Sequence, residues 1–205
     1  MWNHNSHYHN YLLDRLPSEI DRALDVGCGL GVFASKLAEK AKLVDAIDAN
    51  EKTIIEASKI HNAPNICYQC ADLLNIDLQY NYYDVIISIA SLHHMNIEVA
   101  LSKMSLLLRP SGKLLILGLY KETTITDYAY SLISVPLNYI YLRRYHSIVS
   151  ATEHKAPVRP AKLSLKQIKL VANSIIPDYE LKRHLFWRYS LIWNKPIYYT
   201  FIKKQ

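Results

Sequence analysis

Three of the five glycines of this 205-residue chain fall within five residues, in Ala23-Leu24-Asp25-Val26-Gly27-Cys28-Gly29-Leu30-Gly31. They follow an apolar run and precede a segment of helical periodicity. A strand that ends in glycines lets its backbone approach a ligand, because Gly carries no Cβ and tolerates positive φ. The helix that follows aims its unpaired N–H groups at the same point. The next apolar run, Leu43-Val44-Asp45-Ala46-Ile47-Asp48, ends in an acid. Its distance from the glycines suits a carboxylate that hydrogen-bonds ribose hydroxyls in a Rossmann-type unit. Strand, glycine loop, helix, strand and terminal acid together predict a nucleoside cofactor.

The spacing distinguishes among such cofactors. A dinucleotide fingerprint needs G-x-G-x-x-G, whereas this loop reads G-x-G-x-G with Asp25 two residues before the first glycine. An acid there repels phosphates and favours a cation, such as the ammonium and sulfonium of S-adenosylmethionine (SAM). Further motifs follow in order: Asn65 to Asp72 as a third strand ending in an acid, Tyr82 to Met95 as a fourth strand with a Leu92-His93-His94 loop, and the turn Arg109-Pro110-Ser111-Gly112 leading into an apolar run to Leu119. In that turn Pro presets φ and Gly relieves it two residues later. Over residues 22–120 the chain resembles the class I SAM-dependent methyltransferases. For the glycines alone, an ordinary strand-to-helix turn is the alternative reading.

The resemblance implies SAM as cofactor and S-adenosylhomocysteine (SAH) as product. It places Gly27, Gly29 and Gly31 against the methionine part, Asp25 at its ammonium, Asp48 at the ribose and Asp72 at the adenine. Ser88 and Ile89 would flank the methionyl group, and Cys28, Ala49, Ala71 and Leu73 complete the expected cofactor set. It also implies an α/β fold, a Rossmann-like, doubly wound, mainly parallel seven-stranded sheet with an antiparallel last strand. Alternation of strand and helix agrees with that. Helices are expected over 32–40, with Phe33, Leu37 and Ala41 on one face, over 51–60, capped by Asn50 and turning Ile54, Ile55, Ala57 and Ser58 to the sheet, and over 97–108. Residues 179–186 and 189–193 read as two antiparallel strands. The single domain divides into an N-terminal cap (1–20), a cofactor-binding core (22–120), a substrate-side insertion or lid (121–178) and a closing hairpin (179–205).

Length and composition fit one domain with a large core. No stretch of 18 uninterrupted apolar residues predicts a transmembrane helix, and the polar, histidine-rich start does not read as a signal peptide, so a cytoplasmic protein is expected. Three cysteines do not suggest a disulfide framework. Cys67 and Cys70 lie three apart on an expected strand, facing opposite ways, with no second pair to complete four ligands. They read as buried structural residues, and no metal site is expected.

The segment 127–142 is apolar and tyrosine-rich, and Pro136 should kink or divide any helix there. It suits a lid over an apolar or aromatic substrate, a helix pair covering the sheet, or a peripheral membrane contact. Charge is uneven: residues 140–205 carry 13 basic and 3 acidic side chains, and residues 1–139 carry 11 and 15. Lys162, Lys166 and Lys169 read as one face of a helix whose other face is Leu165, Ile168, Ala172 and Ile175. That face is either simply solvated or attracts an anion, a membrane or RNA. A small group of bacterial methyltransferases resembles this chain in the N-terminal segment and around Trp187-Arg188-Tyr189-Ser190-Leu191. In that resemblance His4, His7 and Tyr8 line the active site while Tyr11, Leu12 and Leu16 anchor a short helix.

These features predict methyl transfer to a small-molecule acceptor through oxygen, carbon or a carboxylate, by in-line displacement at the activated methyl. His93, His94, His7 and Tyr8 are the candidate catalytic residues, with histidine as base where a hydroxyl must lose its proton. Two alternatives remain. One is an RNA methyltransferase using the basic C-terminal part, against which stands the lack of an Asn-Pro-Pro-Tyr-type element. The other is a SAM- or SAH-binding subunit without catalysis.

Overall fold

The computed structural model describes residues 3–145 and 160–199. Residues 1–2, 146–159 and 200–205, which include the middle of the expected insertion and the end of the expected hairpin, lie outside the described residues. The strands are β1 (Ile20–Val26), β2 (Ala41–Asp48), β3 (Ile66–Cys70), β4 (Tyr83–Ile89), β5 (Leu108–Leu119), β6 (Glu180–Arg183) and β7 (Arg188–Asn194). They form one sheet in the order β3-β2-β1-β4-β5-β7-β6. β1 to β5 pair in parallel, and β7 runs antiparallel between β5 and β6. The expected doubly wound, mainly parallel sheet with an antiparallel last strand is therefore what the chain forms.

Burial explains the pattern of the central strands. β4 and β5 are covered on both faces, so they read as continuous apolar runs rather than as alternation. On one face Trp193, Ile86, Leu101, Met104 and Ile168 form a core under α4 (Ile97–Leu107) and α6 (Leu165–Ile175). On the other, Leu12, Phe33, Leu37, Val85 and Phe186 pack beneath α1 (His9–Leu13) and α2 (Val32–Ala38). The edge strand β3 lacks full cover. Cys67 and Cys70 are exposed there, contrary to the expectation of buried cysteines, because among the described residues no further strand pairs with that edge.

Local chemistry sets the helix boundaries. Asn50 accepts from Thr53 N at 3.2 Å and opens α3 (Glu51–Ile60), which buries Ile54 and Ala57. Ile55 points outward, a correction to the expected inner face: it follows Ile54 by about 100° around the helix axis, so only one of the two can face the sheet. Asn96 caps α4 by accepting from Glu98 N and Val99 N. Ser164 and Gln167 form a reciprocal capping box at α6. α5 (Ile125–Tyr145) is one helix running through Pro136, neither divided nor paired. Leu132, whose carbonyl loses its partner, is 78% exposed, so water replaces the missing donor. Residues 109–112, expected as a turn, are taken into the start of β5, and there the positive φ (63°) falls on Ser111 rather than on Gly112. Gly112 is needed for space, since a Cβ there would meet Arg109 O at 2.8 Å.

Asp84 locks the start of the sheet. Its buried carboxylate accepts from Asp21 N at 2.7 Å and Arg22 N at 2.8 Å and pairs with Arg109. Removing it leaves two backbone donors and a guanidinium without their anion. Asp84→Ala is expected to cost about 1.5–3 kcal/mol, read as a lower urea midpoint at unchanged slope. An unchanged midpoint would contradict this role.

Candidate active site

The glycine loop begins where β1 ends. Gly27 N and Cys28 N both donate to Ile47 O, which ties the loop to the end of β2. The three glycines serve different ends. A Cβ at Gly27 (φ 71°) would meet Ser91 Cβ at 2.3 Å, and one at Gly31 would meet the Tyr68 hydroxyl at 2.4 Å. Around Gly29 (φ 54°) nothing lies within 4 Å. Gly27 and Gly31 are therefore demanded by the protein's own packing, and Gly29 alone presents its backbone to open space.

Two carboxylates flank that space. Asp48, at the end of β2, accepts from Gly29 N at 3.0 Å and from Asn50 N at 2.9 Å, so it braces the loop and the entry to α3. Asp25 is 1% exposed and its Oδ2 has no partner among the described residues. Burial, with the nearby charge of Asp48 adding to it, raises its pKa to about 7. An acid sealed in this way has one obvious complement, a cation brought by a ligand.

The other expected cofactor residues are placed less uniformly. Asp72 follows β3 and uses Oδ1 to accept from Leu74 N and Oδ2 to accept from Asn75 Nδ2, both at 3.0 Å. Ala49 is exposed beside Asp48, and Ala71 N donates to Asp48 O. The Leu73 side chain is buried in the core, which leaves only its backbone for a ligand. Cys28 is partly exposed, and burial with two nearby carboxylates pushes its thiol pKa up. Ile89 is half-buried at the end of β4. Ser88 is fully buried and does not face the crevice. Its hydroxyl lies 2.6 Å from Ser91 Oγ, which donates to Val26 O at 2.8 Å, so Ser88 is the donor to Ser91. The pair holds β1 to β4 under the loop.

Beyond β4 a 3-10 turn, Leu92–His94, carries the two histidines. His93 is partly buried, and its Nδ1 has no partner among the described residues. Burial first, then His94 and Arg188, lower its pKa to about 4, so it is neutral at pH 7. His94 is exposed, its ring 3.9 Å from that of His93. His93 also borders a cavity of about 280 Å³ lined by Met95, Ile97, Leu119, Lys162 and Tyr189.

The N-terminal segment folds back onto the start of β7. His4 Nε2 lies 2.8 Å from Asn138 Oδ1 of α5, and its ring stacks on Phe186 at 5.2 Å. His7 makes edge contacts with Tyr8, Tyr141 and Phe186. Tyr8 is a correction to its expected catalytic role: it is 8% exposed and its hydroxyl donates to Leu185 O at 3.1 Å, so it pins the segment to the β6–β7 turn. Burial raises its pKa to about 12. Tyr11 lies 3.1 Å from Ser190 Oγ, and Leu12 is wholly buried. Sequence reasoning passed over Ser91, Tyr68 and Arg188, which carry no motif of their own.

The comparisons agree with this geometry. Residues 24–116 match the family model described as a methyltransferase domain. An uncharacterized methyltransferase of Mycobacterium tuberculosis is 28% identical over 199 residues, covering 96% of this chain and 98% of that one. A ubiquinone biosynthesis O-methyltransferase of Coxiella burnetii is 29% identical over 108 residues, 51% of this chain and 46% of the other. The fold is shared with the N-methyltransferase NodS of Bradyrhizobium japonicum, solved with SAH, at a TM-score of 0.65 and 16% identity, over 93% of this chain and 87% of that one. A doubly wound sheet, a glycine loop between two acids and these likenesses support a class I SAM-dependent methyltransferase, with SAM as its cofactor.

Among the described residues no group of three or more His, Cys, Asp or Glu side chains could hold a metal ion, and no helix is long and apolar enough to cross a membrane. The glycines offer a direct test of the packing argument. Gly27→Ala is expected to cost about 2–4 kcal/mol, from the positive φ and the clash with Ser91. Gly29→Ala should cost about 1–2 kcal/mol, from φ alone. Equal losses in urea unfolding would refute the distinction.

Proposed function

We propose that this methyltransferase acts on a small molecule, held between the Leu92–His94 turn and the N-terminal segment. The observation that carries this reading is the cover over the strand ends. His4, His7 and Tyr8 pack on Phe186 and on α5, closing the region above β5 and β7 against a large polymeric substrate. The adjoining cavity of about 280 Å³ also suits a metabolite-sized ligand.

The residues divide the work as follows. Asp25, buried and unpartnered at Oδ2, fits the cofactor's ammonium, Gly29 fits close backbone approach, and Asp48 fits the ribose hydroxyls. When bound, SAM supplies an already activated methyl group. The protein then needs only to align the acceptor and keep water out. Where the acceptor is a hydroxyl, His93 takes the proton: its Nδ1 is unpartnered and its ring is neutral above about pH 5. His94 and His7 are the next candidates, on position alone.

The test is a thermal-shift titration with SAM, SAH and NAD side by side, followed by acceptor screening with labelled SAM. Ligand at 100 times Kd contributes about 2.7 kcal/mol, a rise of about 5–10 °C for a domain of this size. Stabilisation by SAM and SAH but not NAD is expected, as is transfer of label to a small-molecule pool rather than to RNA. Asp48→Ala should weaken SAH binding by about 1.5–3 kcal/mol. An unchanged affinity would remove its ribose assignment.

Asp25 predicts a pH dependence. Its folded pKa, about 7, lies above the unfolded 3.8, so its contribution to stability is present at low pH and lost as pH rises through about 7. The ionised form is the one that pairs with an ammonium. SAM affinity should therefore rise with pH through about 7 and level off above it, while Asp25→Asn flattens the profile. A wild-type profile flat between pH 6 and 8 would contradict the assignment.

A further inference from the structure

Arg188 opens β7 in register with Leu119, the last residue of β5, and is 7% exposed. Its Nε donates to Asn5 Oδ1 at 3.0 Å and Nη1 donates to Phe186 O at 3.0 Å. Among the described residues the remaining three N–H groups of the guanidinium have no partner and no carboxylate pairs with it. Arg183, also partly buried, pairs with the buried Asp127 at 2.8 Å, and the buried Lys195 places its ammonium on Asn81 Oδ1 and Leu108 O at the other end of β7.

The titratable groups around Arg188 are neutral at pH 7 and do not offset its charge. Its titratable neighbours are His4, Tyr8 and His93, and both histidines have pKa values lowered in part by Arg188. Burial lowers its own pKa to about 10, which leaves it charged at pH 7. The backbone leading to it is unusual: Phe186 and Trp187 both take positive φ, 57° and 58°, a conformation that bulky side chains rarely adopt. Two consecutive residues of that kind, buttressed by His4 and His7, re-aim the chain immediately before Arg188.

We propose that Arg188 binds a carboxylate or similar small oxyanion on the methyl acceptor, so that the substrate class is a small organic acid. This rests on the small-molecule reading above. A guanidinium with three unused donors presents the planar fork that carboxylates engage bidentately. Its position selects the acceptor over the cofactor: β7 lies three strands from β1, about 14 Å from the glycine loop at sheet spacing. Bound acid would also offset the part that Arg188 adds, after burial and His94, to the lowered pKa of His93, and so raise the basicity of that histidine.

The experiment uses the full chain saturated with SAH and titrated with benzoate and phenylacetate, against benzamide and phenylacetamide, by thermal shift and by fluorescence of Trp187 next to the site. The acids are expected to bind saturably and at least tenfold more tightly than the amides. In Arg188→Gln the response to acids should vanish while the Kd for SAH stays within twofold. Arg188→Lys keeps the charge without the fork and should weaken acid binding about tenfold, which serves if the Gln variant does not fold. Equal binding of amides, no response to either acid in SAH-bound wild type, or acid binding retained in Arg188→Gln would each overturn the proposal. A tenfold loss of SAH affinity in Arg188→Gln would also overturn it, by showing that the guanidinium reads the cofactor's own carboxylate. Failure of wild type to bind SAH at all would instead strike the methyltransferase reading.

Discussion

The seam between β1 and β4 is the constraint on which the site depends. Strand order reverses there, with β2 and β3 on one side and β5 on the other, so the connections leave toward opposite faces and open a crevice at the carboxyl ends. Ser91 holds the crevice in shape. Its hydroxyl donates to Val26 O, the buried Ser88 donates to it in turn, and Gly27 packs on its Cβ position without room for a methyl group. The glycine loop is thus clamped from below by β4 before any ligand arrives. A preorganised loop does not have to be ordered at the expense of binding energy.

The site is also a place where the protein tolerates electrostatic cost. Burial, with the nearby charge of Asp48 adding to it, inclines Asp25 to stay protonated, and its Oδ2 meets no partner among the described residues. Arg188 is the mirror case, a buried cation with no carboxylate partner among the described residues. In a fold optimised for stability alone such groups would be paired or replaced by apolar ones. One unsatisfied negative centre by the cofactor loop and one unsatisfied positive centre three strands away give the crevice a polarity along its length. It is the polarity that the proposed pairing of a cofactor ammonium with Asp25 and of an acid with Arg188 requires.

The N-terminal segment supplies the roof, and aromatic packing holds it. Phe186 is fully buried with positive φ, a conformation costing about 1–2 kcal/mol, and is held by stacking on His4, edge contacts with His7 and Tyr141, and a hydrogen bond from its N–H to Ser134 Oγ of α5. α5 turns Ser134 and Asn138 toward this contact, packs Leu137 and Tyr141 on the core, and leaves Leu132, Ile133, Val135 and Ile140 exposed. A helix of that kind reads ambiguously in sequence, because many of its apolar residues are not the ones it buries. For the same reason Tyr8 reads as a catalytic candidate and proves to be a pin. Its hydroxyl is committed to a carbonyl 177 residues away.

Periodicity, terminal acids and the glycine spacing were enough to specify the central strands, the helices α2 to α4 with the Asn50 cap of α3, and the cofactor class. These are local signals: an apolar run buried on both faces, an Asn before a helix and a Gly-rich turn each act within a few residues. What the sequence could not distinguish was why each glycine is there, since Gly27 answers to Ser91 and Gly31 to Tyr68 while Gly29 faces open space. Nor could it expose Asp25 and Arg188 as unpaired, because pairing is decided by residues far along the chain. The sequence by itself determined a SAM-binding doubly wound sheet. Only the tertiary structure decided where buried charge goes uncompensated, because desolvation depends on what packs around a group and not on its neighbours in the chain.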